Sequence, residues 1–438
     1  MAERLRRISD RISDRISYVP LFGILVAVLL AVATSWIDTS FRGTIDGIPI
    51  LLKTTVDSAR AILTTAATAT ITVAGIVISI TVVAVQLASS QFSPRVVPTV
   101  FGTRFQQTVI GIVIGSFTYT LLVLSRIRID PGPEVVVGAY RTFAVTLALV
   151  LAIVSVLAIV AFIDRSVQVM QVGEIIRRTT DETIARIQTV LPERGTPPQA
   201  DDDAVMPEGS STALRSRDDG WVVGIDIAAV LDALPARSIA RLDTTVGGFV
   251  AVGSPLVTVW TSDEESDIDE SGLVAAFGVS YRRKARADAT FGVRQLVDVA
   301  LRALSPGVND PTTANEVALN LTAILREVLV RESAPRIIYG DDGRRLFRPQ
   351  EWSRTDWVRH AFGEIRVAST TQPAVAMTLI GAFGALRLHL EDQGLPERVE
   401  PLRTEAELVL QGIENGGDLL AADIEPVRAL ARHLGLVG

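Results

Sequence analysis

The chain has 438 residues, a formal net charge of −7, three histidines and no cysteine. The length suits two or three domains. The absence of cysteine excludes disulfides, thiol catalysis and Cys-based zinc sites, and an acidic balance without a basic stripe excludes a nucleic-acid footprint. Mean hydropathy is positive at +0.36 although 21% of residues are charged, so the apolar residues must be unevenly placed.

Residues 1–17 form a basic N-terminal segment with Arg4, Arg6, Arg7, Arg11 and Arg15 and the repeat "RISDRISDRIS". It reads either as a solvated leader or as an interfacial helix with Ile8, Ile12 and Ile16 on one face. Apolar runs follow at residues 18–37, 61–94, 105–125 and 142–163. Each reaches the roughly 20 residues a membrane span needs, which predicts a four-helix transmembrane domain over residues 18–165. The first run is too long for a cleaved signal peptide, and its end, Ser35-Trp36-Ile37-Asp38, is no small-x-small site. The positive-inside rule places the N-terminus in the cytoplasm, and four spans return the C-terminus to the same side. Arg165, Arg177 and Arg178 agree with this orientation, whereas Arg126, Arg128 and Arg141 oppose it. The expected location is the bacterial inner membrane, multi-pass, with both termini cytoplasmic and membrane lipids as partners.

The second run is too long for one upright span. At about 1.5 Å per residue it makes a helix of ~50 Å against a hydrocarbon core of ~30 Å. Its small and polar residues are ordered in two adjoining heptad lines, Thr65, Thr72, Ser79, Gln86 and Thr68, Gly75, Val82, Ser89. The third run carries a matching stripe that includes Thr108, Gly111, Gly115 and Thr118. Two readings stand: small residues bring helix backbones together, or one stripe lines a wet path in a homo-oligomer. The span centres hold no Asp, Glu, Lys, Arg or His, which disfavours a proton relay. Between the second and third runs lies Gln91-Phe92-Ser93-Pro94-Arg95. It reads as a turn with a snorkelling arginine or as an elbow coupling the membrane helix to the soluble part.

Residues 166–192 read as a helical extension of the fourth span, and residues 193–220, with Pro197-Pro198 and Asp201-Asp202-Asp203, as a flexible linker. Residues 221–281 read as a small β-module, its short β-runs punctuated by Gly247-Gly248, Gly253 and Pro255. "GLVAAFGVSY" is expected to be one of its strands. The module resembles the barrel-sandwich domains of biotinyl and lipoyl carriers but lacks a lysine at the hairpin tip, so a structural role is expected. Residues 282–438 read as a mainly helical domain, with a hairpin signalled by Asp341-Asp342-Gly343. The expected fold is thus an integral membrane helical domain followed by a cytoplasmic α+β domain, a β-module plus a helical bundle.

The densest basic cluster, Arg282, Arg283, Lys284 and Arg286, is either a solvated patch or a contact for lipid headgroups or an anionic ligand. Further on, Ser305-Pro306-Gly307-Val308-Asn309-Asp310-Pro311 breaks one helix and starts another. Ser305-Pro306 ends the first helix, while Asp310 or Asn309 caps the second, with Pro311 at its first position. Asp298 and Asp310 flank this loop and could meet across it. This long motif and "QLASSQFSPR" resemble an uncharacterised bacterial family of unknown function whose members are described as predicted membrane proteins. The resemblance extends over nearly the whole chain. It implies a multi-span N-terminal domain and a cytoplasmic C-terminal domain, and it supplies no activity, substrate or catalytic residue.

No P-loop, GxSxG or HExxH signature occurs, and His360, His389 and His433 lack metal-ligand spacing. No catalytic residue, metal site or cofactor is expected, and the chain is read as a non-enzyme. The expected function is an oligomeric channel or pore-like transport protein with a cytoplasmic regulatory domain. The alternatives are a membrane-anchored scaffold or sensor that meets a cytoplasmic partner and, third, a lipid- or envelope-related enzyme.

Overall fold

The structure is a computed structural model that describes residues 18–40, 55–91, 104–127, 142–169, 171–195, 210–261, 268–283, 285–349, 352–416 and 419–438. The basic leader, residues 92–95 of the elbow, Asp201–Asp203, most of the acidic loop before Asp269, and Lys284 lie outside them. The chain divides into two units, Met1–Gln171 and Val172–Gly438.

The first unit holds four long apolar helices: α1 (Tyr18–Ser40), α2 (Val56–Gln91), α3 (Arg104–Ser125) and α4 (Thr142–Val169). α3 packs on the other three, and α2 also packs on α4. Glycine sets the α1–α3 spacing. A Cβ on Gly23 would lie 2.5 Å from the Gly111 carbonyl oxygen, and one on Gly115 would lie 3.0 Å from that of Gly23. One end of this bundle is tied by polar groups. The buried Asp38 carboxylate accepts from the backbone N–H groups of Phe143 and Ala144, each at 3.1 Å, and so caps the start of α4. The buried Tyr119 hydroxyl lies 3.1 Å from both Thr34 Oγ1 and the Ala144 carbonyl oxygen. Lower in the bundle, Ser155 donates to Ser116 across α3 and α4 at 2.9 Å.

In the second unit, α5 (Val172–Val190) buries Ile175, Ile176, Thr179, Thr180, Thr183 and Ile187 against α8 (Ala289–Ala303) and α9 (Pro311–Val330). A side chain on Gly292 of α8 would collide with the Thr183 hydroxyl, which is why these helices cross so closely. α10 (Arg354–Ala368), α11 (Pro373–Asp392), α12 (Glu400–Asn415) and α13 (Ala421–His433) complete the helical layer. A five-stranded sheet has the order β1-β5-β3-β8-β7, from β1 (Thr212–Arg215), β3 (Ile239–Leu242), β5 (Pro255–Trp260), β7 (Ile337–Tyr339) and β8 (Arg345–Phe347). A three-stranded sheet, β4-β2-β6, comprises β4 (Phe249–Val250), β2 (Gly220–Ile225) and β6 (Phe277–Ser280). One core, including Val222, Val230, Leu242, Val257, Leu273 and Leu346, joins both sheets to α6 (Ile227–Ala233) and α7 (Glu270–Ala275).

Several expectations need correction. The helical extension is separate from α4: that helix ends at Val169, α5 starts at Val172, and α5 belongs to the second unit. The linker contains β1, antiparallel to β5; only Leu214 of its four residues is buried, too few to leave a periodic signal. "GLVAAFGVSY" is half helix: Asp269 accepts from the Gly272 N–H at 2.8 Å and caps α7 before β6 begins. The β-module is also larger than its segment. β8 of the distant hairpin pairs in parallel with β3, a long-range contact that local pattern cannot reveal.

Among the described residues five helices are long and apolar enough to cross a membrane. Four are α1 to α4, and the fifth is α11. The fifth is packed by α9, α12 and α13 within the second unit, with Leu379, Ile380 and Phe383 fully buried.

Candidate functional site

The outward faces of the first unit differ in chemistry. Those of α1 and α4 are large and aliphatic: Leu25, Leu29 and Val32 on one, Ile153, Leu157 and Val160 on the other. On α2 the buried side is Ala59, Leu63, Ala66, Thr70 and Val77, whereas Thr65, Thr68, Thr72, Gly75, Ser79 and Gln86 are all exposed. Ile71 and Ile78 border this strip on one flank, Ile76 and Val83 on the other. The hydroxyls of Thr65, Thr68 and Thr72 each donate to the carbonyl four residues earlier at 2.8 Å. They are satisfied within the helix and keep free lone pairs on the outer surface.

The stripe on α3 has a different place. Gly111 and Gly115 are buried against α1, and Thr118 is half-buried with its hydroxyl on the Ile114 carbonyl at 2.9 Å. The structure therefore does not bring the two stripes together. Gln91 ends α2. α2 has 36 residues, and its length of ~54 Å exceeds a hydrocarbon core.

The basic cluster is largely committed to structure. Arg283 donates through Nη2 and Nε to Asp288 Oδ2, at 2.5 and 2.9 Å. Its guanidinium lies 5.1 Å from the Trp221 ring centroid and 4.9 Å from that of Phe291. Asp288, 5% exposed, also accepts from the Thr290 and Phe291 N–H groups and caps α8. Gly247, at φ +89°, presses on this pair: a Cβ there would lie 2.5 Å from Asp288 Oδ2 and 2.9 Å from Arg283 Nη2. The Gly247-Gly248 turn is thus a docking point of the β-module on the start of α8. Arg286 pairs with Glu182 at 2.8 Å, a bond that raises its pKa, and Arg282 is exposed.

Beside this cluster sits a residue that sequence reading passes over. An open groove of about 400 Å³ along α5 is lined by Asp181, Glu182, Ala185, Arg186, Thr189 and Arg286. Arg178, Glu182 and Arg186 repeat every four residues, so a local pair from Glu182 to Arg186 would be expected. Glu182 instead bonds Arg178 at 3.2 Å and Arg286 at 2.8 Å. Arg186 is half-buried and makes no ion pair or hydrogen bond among the described residues, and burial holds its pKa below the ordinary guanidinium value.

The loop motif is an interhelical joint. Val308 and Asn309 N–H groups donate to the Ser305 carbonyl at 2.9 Å, and Asp310 N–H to the Ala303 carbonyl at 2.8 Å. Asn309 is left-handed at φ 48°, and its side-chain oxygen accepts from Gln372 at 3.1 Å. Asp310 caps α9, accepting from the Thr313 hydroxyl at 2.6 Å and its N–H at 3.1 Å, and the hydroxyl bond leads in holding its carboxyl below the usual range. Pro311 occupies the first turn of α9. Pro306 and Gly307 are exposed, and a Cβ on Gly307 would meet nothing. Asp298 is bound by Arg294, which also pairs with Glu364. Asp298 and Asp310 thus each have partners of their own, Arg294 and Thr313. His360 Nε2 donates to the Thr290 carbonyl oxygen at 3.1 Å, and its ring centroid lies 4.3 Å from that of Trp352; burial lowers its pKa. Among the described residues no group of His, Cys, Asp and Glu could hold a metal ion.

A bundle of long apolar helices joined to a mixed helical and sheet unit agrees with what sequence comparison finds. The profile of the family described as "Predicted membrane protein (DUF2254)" matches residues 13–385. The chain belongs to this family. DUF2254 membership makes it a membrane protein, and its several apolar helices make it multi-pass. It is similar to "Uncharacterized protein Mb1321c" of Mycobacterium bovis and "Uncharacterized protein Rv1290c" of Mycobacterium tuberculosis. Each is 28% identical over 422 residues, covering 94% of this chain and 79% of the relative. No solved structure matches the DUF2254 chain.

Proposed function

We propose that this DUF2254 protein is a homo-oligomeric, channel-like protein of the bacterial inner membrane, with α2 lining the shared axis. In this reading α1 to α4 span the bilayer. α11 stays in the second unit, where neighbouring helices cover its apolar faces and it carries the Arg387–Glu391 pair. The arginines of the leader put both termini in the cytoplasm, and the second unit serves as a regulatory domain without catalysis.

The observation that carries the proposal is the exposed face of α2. Lipid-facing surfaces favour large aliphatic groups, as on α1 and α4, whereas small and hydroxyl-bearing surfaces favour helix contact or water. The Ile and Val borders suit packing between neighbouring copies, which leaves Thr65, Thr72, Ser79 and Gln86 nearest the axis.

The absence of native cysteine makes the test direct. Single cysteines at Thr65, Thr72, Ser79 and Gln86, in vesicles, are expected to crosslink between copies and to react with a membrane-impermeant maleimide. Cysteines at Leu25 and Leu157 are expected to do neither. Reconstituted protein is expected to conduct ions, with Thr72→Val or Gln86→Leu changing conductance. Crosslinking without water access or conduction favours the scaffold reading, in which the same face is a dry seam. The absence of both crosslinking and labelling refutes the assembly.

A further inference from the structure

We propose that the groove along α5 binds a phosphate-bearing ligand, with Arg186 as its principal donor and Arg286 at its rim. The two carboxylates lining the groove already have cationic partners: Asp181 is held by Arg177 at 2.7 Å, and Glu182 by Arg178 and Arg286. Asp288, whose charge also attracts Arg186, is itself held by Arg283. Asp288 is moreover occupied by the cap of α8. Of the two arginines that line the groove, Arg186 is the one without an ion pair or hydrogen bond among the described residues.

The Arg186 guanidinium is half-buried and makes no hydrogen bond among the described residues, so its donors are available to the oxygens of a ligand. Nothing on α5 demands it structurally: the buried stripe of that helix is Ile175, Ile176, Thr179, Thr180, Thr183 and Ile187. Arginine is suited to this place by its planar fork, which meets two oxygens of one phosphate. The groove, about 400 Å³ and open to solvent, admits a phosphate with a substituent attached. Arg286, 72% exposed at the rim, can turn toward such a ligand while Glu182 remains neutralised by Arg178. The same chemistry is offered by a soluble phosphate compound and by a phospholipid headgroup.

The test uses the full chain. In detergent, inorganic phosphate is titrated at constant ionic strength while thermal unfolding is followed, since a ligand that binds the folded state raises the transition. In parallel, the protein is placed in nanodiscs of phosphatidylcholine alone or with phosphatidylglycerol, and retained lipid is counted by native mass spectrometry. Saturable stabilisation by phosphate, weakened about tenfold or more in Arg186→Gln, identifies a soluble source; that loss matches one charge-assisted bond. Selective retention of phosphatidylglycerol, lost in Arg186→Gln, identifies a lipid source. Arg326→Gln, on an exposed face of α9, is expected to change neither. Should Arg186→Gln unfold early, Arg186→Lys keeps the charge, and it is expected to fold and bind more weakly. Absence of both responses, or responses indifferent to residue 186, overturns the proposal.

Discussion

Gly247→Ala tests how the β-module is fastened to the helices. Two costs are expected. The first is backbone strain: φ is +89°, and an L side chain in left-handed conformations costs about 1–2 kcal/mol. The second is displacement of the Arg283–Asp288 pair, because the new Cβ would lie 2.5 Å from one partner and 2.9 Å from the other. Losing one charge-assisted hydrogen bond there costs about 1.5–3 kcal/mol. The lower backbone entropy of alanine in the unfolded chain returns about 0.4–1 kcal/mol. The net is about 3 kcal/mol. Gly253 provides the internal control: its φ is nearly the same, +86°, and a Cβ there meets nothing within 4 Å. Gly253→Ala should show the strain alone. Four of the five tryptophans lie in the second unit, and Trp221 stacks on Arg283. Urea unfolding followed by tryptophan fluorescence in a Trp36→Phe background therefore reads this unit. Gly247→Ala is expected to lose about 1.5–3 kcal/mol more than Gly253→Ala. Equal losses would show that the turn does not bear on the ion pair, and the fastening argument would fail.

Asp310→Ala should cost about 1 kcal/mol, the usual value of a helix cap, whereas Gly307→Ala should be nearly silent in the same measurement. The depressed pKa of Asp310 contributes stability above its unfolded value of 3.8, which is lost as pH falls through the lower folded value; Asp310→Asn should flatten that acid limb. His360 has the opposite charge type with the same direction of shift: buried as a neutral ring, facing Arg294, Glu364 and Arg283, it costs stability as pH falls below 6.5 toward its lowered folded pKa. His360→Gln should remove that part of the decline in a pH series of melting curves. Gly23→Leu should force α1 from α3 and lower the thermal transition of the first unit, measured by circular dichroism, while Gly75→Leu, which meets nothing within 4 Å in one subunit, should act only on assembly.

The four long runs were legible because hydrophobic length is a local property, and the joint between α8 and α9 because capping is equally local. Asp310 and Pro311 fulfil the roles their types suggest, and the left-handed φ of Asn309 suits its side chain. The β-module was legible only in part, since the partner of β3 lies about a hundred residues away. Arg283 illustrates a different limit. Its sequence neighbours are basic, which suggested a free patch, yet Asp288 and two aromatic rings hold it. Arg186, in an ordinary-looking helix, is left without an ion pair among the described residues, because Glu182 chose Arg178 and Arg286. Charge adjacency in a chain states what could pair, and tertiary competition decides what does.

The two membrane stripes make the same point where function is at stake. In sequence they have the same appearance: small and polar residues at helical spacing. Periodicity shows which residues share a face but not what covers that face. On α3 the cover is α1, and Gly23, Gly111 and Gly115 show why only glycine fits. On α2 no described residue buries Thr65, Thr72, Ser79 or Gln86. A face that is neither aliphatic like the outer surfaces of α1 and α4 nor packed like that of α3 favours a neighbour or water over acyl chains, which is the ground of the proposed assembly. Of the α3 stripe only Thr108 is exposed, whereas Gly111 and Gly115 are buried, so the proposed axis is lined by α2.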